Sequence, residues 1–180
     1  MNTPNKLTVA RIACAFVLIA FLLLRGGAFA WLAFVLFVAA SLTDLLDGRI
    51  ARATNQVTVF GKFMDPLADK ILNYAVMILL IPEGLVPALA AVLILIREFL
   101  VAGIRQSGAE QGVVIAANGW GKAKTFVQDV SLGLILFLRA IGGLAFLPLL
   151  SNLLLWLCAA LTVISGVIYV AQNAKVLQEK

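Results

Sequence analysis

The chain has 180 residues, 63% of them hydrophobic and 13% charged, and a mean hydropathy of +1.06; a soluble domain carries roughly 25% charged residues, so a water-soluble globule is excluded. There is no His, which removes histidine chemistry, and the two cysteines, Cys14 and Cys158, sit in apolar runs as packing residues rather than as a disulfide framework. The balance of 14 Lys and Arg against 9 Asp and Glu gives +5, read here as membrane orientation, with no nucleic-acid partner expected.

In chain order the apolar runs are Leu7 to Leu24, Ala28 to Leu46, Phe63 to Ile81, Leu85 to Ile104, Phe126 to Ile141 and Leu144 to Val170. Each approaches the roughly 20 residues that cross a hydrocarbon core about 30 Å thick. The reading is an all-α membrane protein of six transmembrane helices in one domain, residues 1–180, with no repeat or linker. Gly26-Gly27, Pro82-Glu83-Gly84, Gly119 to Gly121 and Gly142-Gly143 are the expected turns.

With both termini in the cytoplasm, Lys6, Arg11, Arg49, Arg52, Lys62, Lys70, Arg97, Arg105, Lys122, Lys124, Lys175 and Lys180 lie on the cytoplasmic side, and Arg25 and Arg139 outside. The positive-inside rule selects this topology and a multi-pass location in the cytoplasmic (inner) membrane. Lys6 and Arg11 before an apolar run, with Ala28-Phe29-Ala30 beyond it, imitate a signal peptide. Cleavage would upset the charge asymmetry, so the first run is expected to stay as a span.

Four of the nine acids fall close together: Asp44 and Asp47 ending the second span, Asp65 and Asp69 opening the third. Burying four aspartates at membrane depth would cost on the order of 10 kcal/mol, so something must compensate them. On helices, spacings of three and four put each pair on one face, with Cβ atoms about 5–6 Å apart. Four carboxylates balance two divalent cations, and an oxygen-only donor set favours Mg²⁺, then Mn²⁺. Two such ions can clamp a phosphoryl transfer. The same acids could instead form an ion-pair network with Arg49, Arg52, Lys62 and Lys70, or mark an ion or proton path. Pro66, next to Asp65, is expected either to cap the third span at its first turn or to kink it.

The segment reads D-x2-D-G-x2-A-R-x8-G-x3-D-x3-D over residues 44 to 69, with Gly48, Ala51, Arg52 and Gly61 at the small and basic positions. It resembles the signature of the CDP-alcohol phosphotransferases at all eight fixed positions. The resemblance implies a membrane enzyme, typically dimeric, that moves a phosphatidyl group from CDP-diacylglycerol to an alcohol and releases CMP. It implies that Asp44, Asp47, Asp65 and Asp69 hold two metal ions and that Asp69 is the general base. Gly48, Ala51, Arg52 and Gly61 would line the CDP site, with Thr58 near the nucleotide phosphates and Asn5 and Thr8 matching a short Asn-x-x-Thr entry segment. An ordinary carboxylate, with a pKa near 3.9, is a weak base at neutral pH. The role of Asp69 therefore requires either a perturbed environment or a metal that acidifies the acceptor hydroxyl.

A second basic group follows. Arg97 and Arg105 share roughly one face of the fourth span, and Lys122 and Lys124 open the fifth. They could hold an acceptor phosphate, or be anchors snorkelling to lipid headgroups. Ile96-Arg97-Glu98, Gly103-Ile-Arg105 and Gly121-Lys122-Ala-Lys124-Thr125 resemble the corresponding region of the family's bacterial phosphatidylglycerophosphate synthase branch. That resemblance implies sn-glycerol 3-phosphate as acceptor and Arg97, Arg105, Lys122 and Lys124 as its phosphate site. Inositol phosphate would use the same cations, whereas serine would leave them without a role. Intramembrane prenyltransferases also pair DxxD with DxxxD, but on widely separated spans; a small cation channel or transporter would lack metal-dependent affinity for CDP. The expected site is a polar cavity facing the cytoplasm and open sideways to membrane lipids.

Overall fold

The computed structural model describes residues 3–24, 26–53, 59–112 and 119–173; the side chains of 3–8, 44–53, 59–63, 65, 66 and 69 lie outside the described residues. Six helices follow one another, with no strand among the described residues: α1 (Thr3–Leu23), α2 (Gly27–Ala53), α3 (Val59–Leu80), α4 (Ala88–Glu110), α5 (Gly119–Ile141) and α6 (Leu147–Gln172). Each covers most of one apolar run of the sequence. The helical backbone meets its hydrogen-bonding needs internally and leaves the Leu, Val, Ile and Phe side chains to pack.

The breaks are set by glycine and proline. Pro82 follows α3, Gly84 turns the chain with φ +72°, and Pro87 at φ −65° immediately precedes α4. Gly112 beyond α4, and Gly142 and Gly143 beyond α5, have φ of +75°, +74° and +69°, a left-handed region that other residues enter at a cost. Pro148 stands in the first turn of α6, where its missing N–H is harmless. One expected turn is corrected: Gly119 and Gly121 belong to the first turn of α5, and the chain turns earlier, at Gln111-Gly112. For Pro66 the first of its two expected roles is excluded. Because α3 starts at Val59, it lies in the helix interior, where its ring nitrogen cannot bond the Lys62 carbonyl, so it does not cap the first turn.

All six helices run past the apolar runs, α1 beginning at Thr3 and α6 reaching Gln172. α2 continues to Ala53, α3 starts at Val59, α4 reaches Glu110 and α5 begins at Gly119, so the polar residues of interest are helical. By length and composition, one described helix, Leu147–Gln172, is long and apolar enough to cross a membrane; shorter apolar stretches cover Val9–Leu23, Gly27–Thr43 and Lys70–Leu80.

Packing runs from α3 to α1, α2, α5, α6 and α4, with lesser contacts of α3 to α2, α4 and α5. The core draws on all six helices through residues such as Leu18, Phe37, Leu72, Ile94, Ile135 and Leu155. Small residues let helices approach: Ala15, Ala33, Ala68, Ala90, Ala91 and Ala159 are all buried. Phe137 of α5 lies edge-on to Trp31 of α2 with ring centroids 5.8 Å apart. Thr162 and Ser165 sit fully buried in α6 because each hydroxyl donates to a carbonyl of its own helix, those of Cys158 and Thr162. The outer faces are apolar on every helix, with Phe16, Val35, Ile78, Phe99, Phe126 and Leu149 all exposed, far more than a soluble monomer presents.

At the end where α3 passes to α4 and α5 to α6, Arg139 donates through Nε and one terminal nitrogen to the two oxygens of Glu83, both at 2.7 Å. Asn152 of α6 donates to the Gly84 carbonyl at 2.9 Å. This clamp borders a cleft of about 570 Å³ lined by Gly26, Gly27, Pro82, Glu83, Arg139 and Gly142.

Candidate active site

The opposite end carries the residues singled out in the sequence. α2 passes unbroken through Asp44, Asp47, Gly48 and Ala51, positions i, i+3, i+4 and i+7 of one helical face, with Arg52 beside them. Gly61, Asp65 and Asp69 step along α3 at intervals of four. A signature that looks irregular in sequence is thus two helical stripes, one of acids and small residues, the other of a glycine and two acids. α1 packs along both helices, and α2 and α3 also meet. Asn5 and Thr8 lie in the first two turns of α1, at the same end. The side chains of Asn5, Thr8, Asp44, Asp47, Gly48, Ala51, Arg52, Gly61, Asp65 and Asp69, and the whole of Thr58, fall outside the described residues.

The four proposed acceptor residues divide. Arg97 and Lys124 come together through Glu98: Lys124 Nζ donates to Glu98 Oε1 at 2.7 Å and an Arg97 terminal nitrogen to the same oxygen at 2.7 Å. Lys70 Nζ reaches the other oxygen at 3.3 Å. Three cations from α3, α4 and α5 therefore share one carboxylate. Arg97 and Lys124 are 9% and 4% exposed, which corrects the reading of them as anchors snorkelling to headgroups; Arg11, 2% exposed, is likewise interior. Lys122 is exposed and does fit a surface anchor.

Arg105 stands two turns beyond Arg97 on α4, a rise of about 12 Å. Its Nε donates to the Tyr169 hydroxyl at 3.1 Å, and its guanidinium carbon lies 5.5 Å from the Tyr169 ring centroid. Tyr169 is 1% exposed and packs with Val101 and Ile104. Gly166, three residues earlier on α6, faces the stem of Arg97: a Cβ added there would lie 2.8 Å from Arg97 Cγ.

Lys70 is the chain neighbour of Asp69, so its bond to Glu98 fixes the acid-bearing stretch of α3 beside the basic group. One turn further along α3, Asn73 donates to Asp129 of α5 at 2.8 Å, extending a polar seam between the two helices. Sequence reasoning did not give Glu98, Lys70, Tyr169 or Gly166 these places. An acid beside an arginine within an apolar run was a usable signal for Glu98; a lone tyrosine and a glycine in the last span gave none.

The described residues also leave an apolar groove of about 460 Å³ between α4 and α6, walled by Leu93, Ile96, Leu100, Val163 and Val167 with Arg97 at its floor. Neither it nor the opposite cleft is the expected polar cavity, whose lining falls largely on side chains outside the described residues.

The family model for CDP-alcohol phosphatidyltransferase matches residues 1–164. The chain belongs to the CDP-alcohol phosphatidyltransferase family. It is 40% identical to a CDP-diacylglycerol–glycerol-3-phosphate 3-phosphatidyltransferase of Rickettsia bellii, over 93% of each chain. A protein of the same name from Bacillus subtilis is 38% identical over 98% of this chain and 97% of its own. One from Haemophilus influenzae is 33% identical over 93% and 91%. As a phosphatidyltransferase of this family, the chain is an enzyme of phospholipid synthesis built from apolar helices. Gly166 and Tyr169 lie just past the matched residues.

The aspartates' donor chemistry suits a metal. Two helices that meet carry four carboxylates and no nitrogen or sulfur ligand on those stripes, a hard oxygen set that fits Mg²⁺ or Mn²⁺. Among the described residues no other group of His, Cys, Asp and Glu could hold an ion.

Proposed function

We propose that this chain spans the cytoplasmic membrane six times with both termini inside and transfers the phosphatidyl group of CDP-diacylglycerol to sn-glycerol 3-phosphate, forming phosphatidylglycerophosphate and CMP. The observation that carries the reading is the Glu98 junction: it joins Lys70, next to Asp69, to Arg97 and Lys124. Cations that would suit a phosphorylated acceptor are thus tied to the residue next to Asp69. The relatives' names agree with that acceptor.

In this mechanism the nucleotide lies against Gly48, Ala51 and Gly61, where small residues open the helix surface, and Arg52 and Thr58 bind its phosphates. Asn5 and Thr8 close that side from α1. The acceptor's phosphate is held by Arg97, Arg105 and Lys124, with Lys122 supplying attraction from the surface. Asp69 takes the proton from the acceptor hydroxyl, whose oxygen forms a bond to the phosphorus bearing diacylglycerol as the bond to CMP breaks. Two Mg²⁺ or Mn²⁺ ions held by Asp44, Asp47, Asp65 and Asp69 would offset the negative charge that develops on the transferring group. The exposed apolar faces keep both acyl chains in the bilayer while the acceptor enters from the cytoplasm. The family resemblance makes a homodimer the expected assembly.

The test is CMP release by the purified protein in detergent with CDP-diacylglycerol and Mg²⁺, comparing sn-glycerol 3-phosphate, inositol phosphate, inositol and serine. Release with glycerol 3-phosphate alone, abolished by EDTA, is the expected result. Release only with another acceptor would overturn the substrate while keeping the family.

A further inference from the structure

Arg105 is exposed at the end of α4, and a long, solvated arginine samples many rotamers that do not face a ligand. Here it is held. The Tyr169 hydroxyl accepts from Nε at 3.1 Å, and the aromatic ring lies 5.5 Å from the guanidinium carbon, within cation–π range. Tyr169 itself is fixed by burial against Val101 and Ile104. Bonding through Nε leaves both terminal nitrogens, the fork that binds a phosphate, without a hydrogen-bond partner among the described residues. One turn earlier on α6, Gly166 makes room for the Arg97 stem.

We propose that Tyr169 is a positioning residue for the acceptor, holding the Arg105 guanidinium with its two terminal nitrogens presented to the acceptor phosphate, and that α6 thus serves as the wall against which both arginines of α4 are set. The proposal rests on the acceptor reading of the basic end. It assigns a binding role to a helix turn that carries no part of the aspartate signature.

The experiment is initial-rate kinetics of the full-length protein in detergent with Mg²⁺, varying each substrate in turn. Tyr169→Phe keeps the ring and removes the hydroxyl; the acceptor KM should rise roughly 3- to 10-fold, with kcat and the CDP-diacylglycerol KM within about twofold of wild type. Arg105→Lys keeps the charge and loses Nε, and should raise the acceptor KM similarly, which covers the case of a Tyr169 variant that fails to fold. In an Arg105→Gln background, Tyr169→Phe should add nothing. Inorganic phosphate, tested as a competitor of the acceptor, should weaken in parallel. A wild-type acceptor KM in Tyr169→Phe, with a raised one in Arg105→Gln, would overturn the proposal alone. So would a fall in kcat and melting temperature without a change in acceptor KM, the mark of a packing role. A wild-type acceptor KM in Arg105→Gln would remove the acceptor reading and the proposal together.

Discussion

At one end of the bundle Arg139 meets Glu83 as one cation and one anion, both forks engaged at 2.7 Å; at the other, a single carboxylate, Glu98, is shared by Lys70, Arg97 and Lys124. The first arrangement is neutral and complete, and it ties the α3–α4 turn to the end of α5. Among the described side chains of the Glu98 cluster, the second leaves two positive charges in excess, and Arg105 and Lys122 add to them. Burying cations beyond what their anion can neutralise is unfavourable unless something else supplies negative charge. The two ends thus differ in balance: the paired end holds helices together, and the shared carboxylate leaves the cations that the proposed acceptor site would use.

Four substitutions test that contrast. The largest effect belongs to Asp69→Asn, which should lower kcat on the order of 10³-fold, since it removes the proposed base and one of the oxygens proposed to bind metal; normal turnover in the CMP-release assay would end that assignment. Glu98→Gln comes next. It leaves the Arg97 and Lys124 charges interior without their anion, and should cost about 3 kcal/mol of stability, read as a drop in melting temperature in detergent, together with a raised acceptor KM. Arg139→Gln should cost about 1–2 kcal/mol by the same melting measurement and leave both KM values unchanged; a shift in acceptor KM would erase the distinction between the ends. Lys122→Gln should change the acceptor KM by about twofold at most, more at low salt than at high, because an exposed charge acts through a screened field.

Much of the fold was legible because its cause is local. Six apolar runs became six helices, and Gly84, Gly142 and Gly143 turn the chain where expected. The helix ends were not legible, since a hydropathy run stops where charged and small residues gather whereas the backbone continues as helix from Asp47 to Arg52 and through Lys122 to Lys124. Gly119 and Gly121 misled for a related reason: a glycine permits a turn without requiring one. At the site, residue types and spacing pointed to the aspartates as a group, and Arg97 and Lys124 do converge. Their convergence depends on Glu98 and Lys70, on separate helices, and Arg105 instead leans on Tyr169, 64 residues away in sequence. Periodicity within a span carries no information about such partners, which only the packing of α4 against α6 and the approach of α3 and α5 to Glu98 bring together.

The placement of α6 sets it apart from the signature. It packs chiefly on α4 and α5, whereas the aspartate stripes ride on α2 and α3, joined mainly through α1. Changes in the last helix can therefore reshape the surroundings of Arg97 and Arg105 without passing through the helices that carry the signature. On the proposed acceptor reading, substitutions in α6 act on the site for the alcohol's phosphate from outside the two helices that carry the signature.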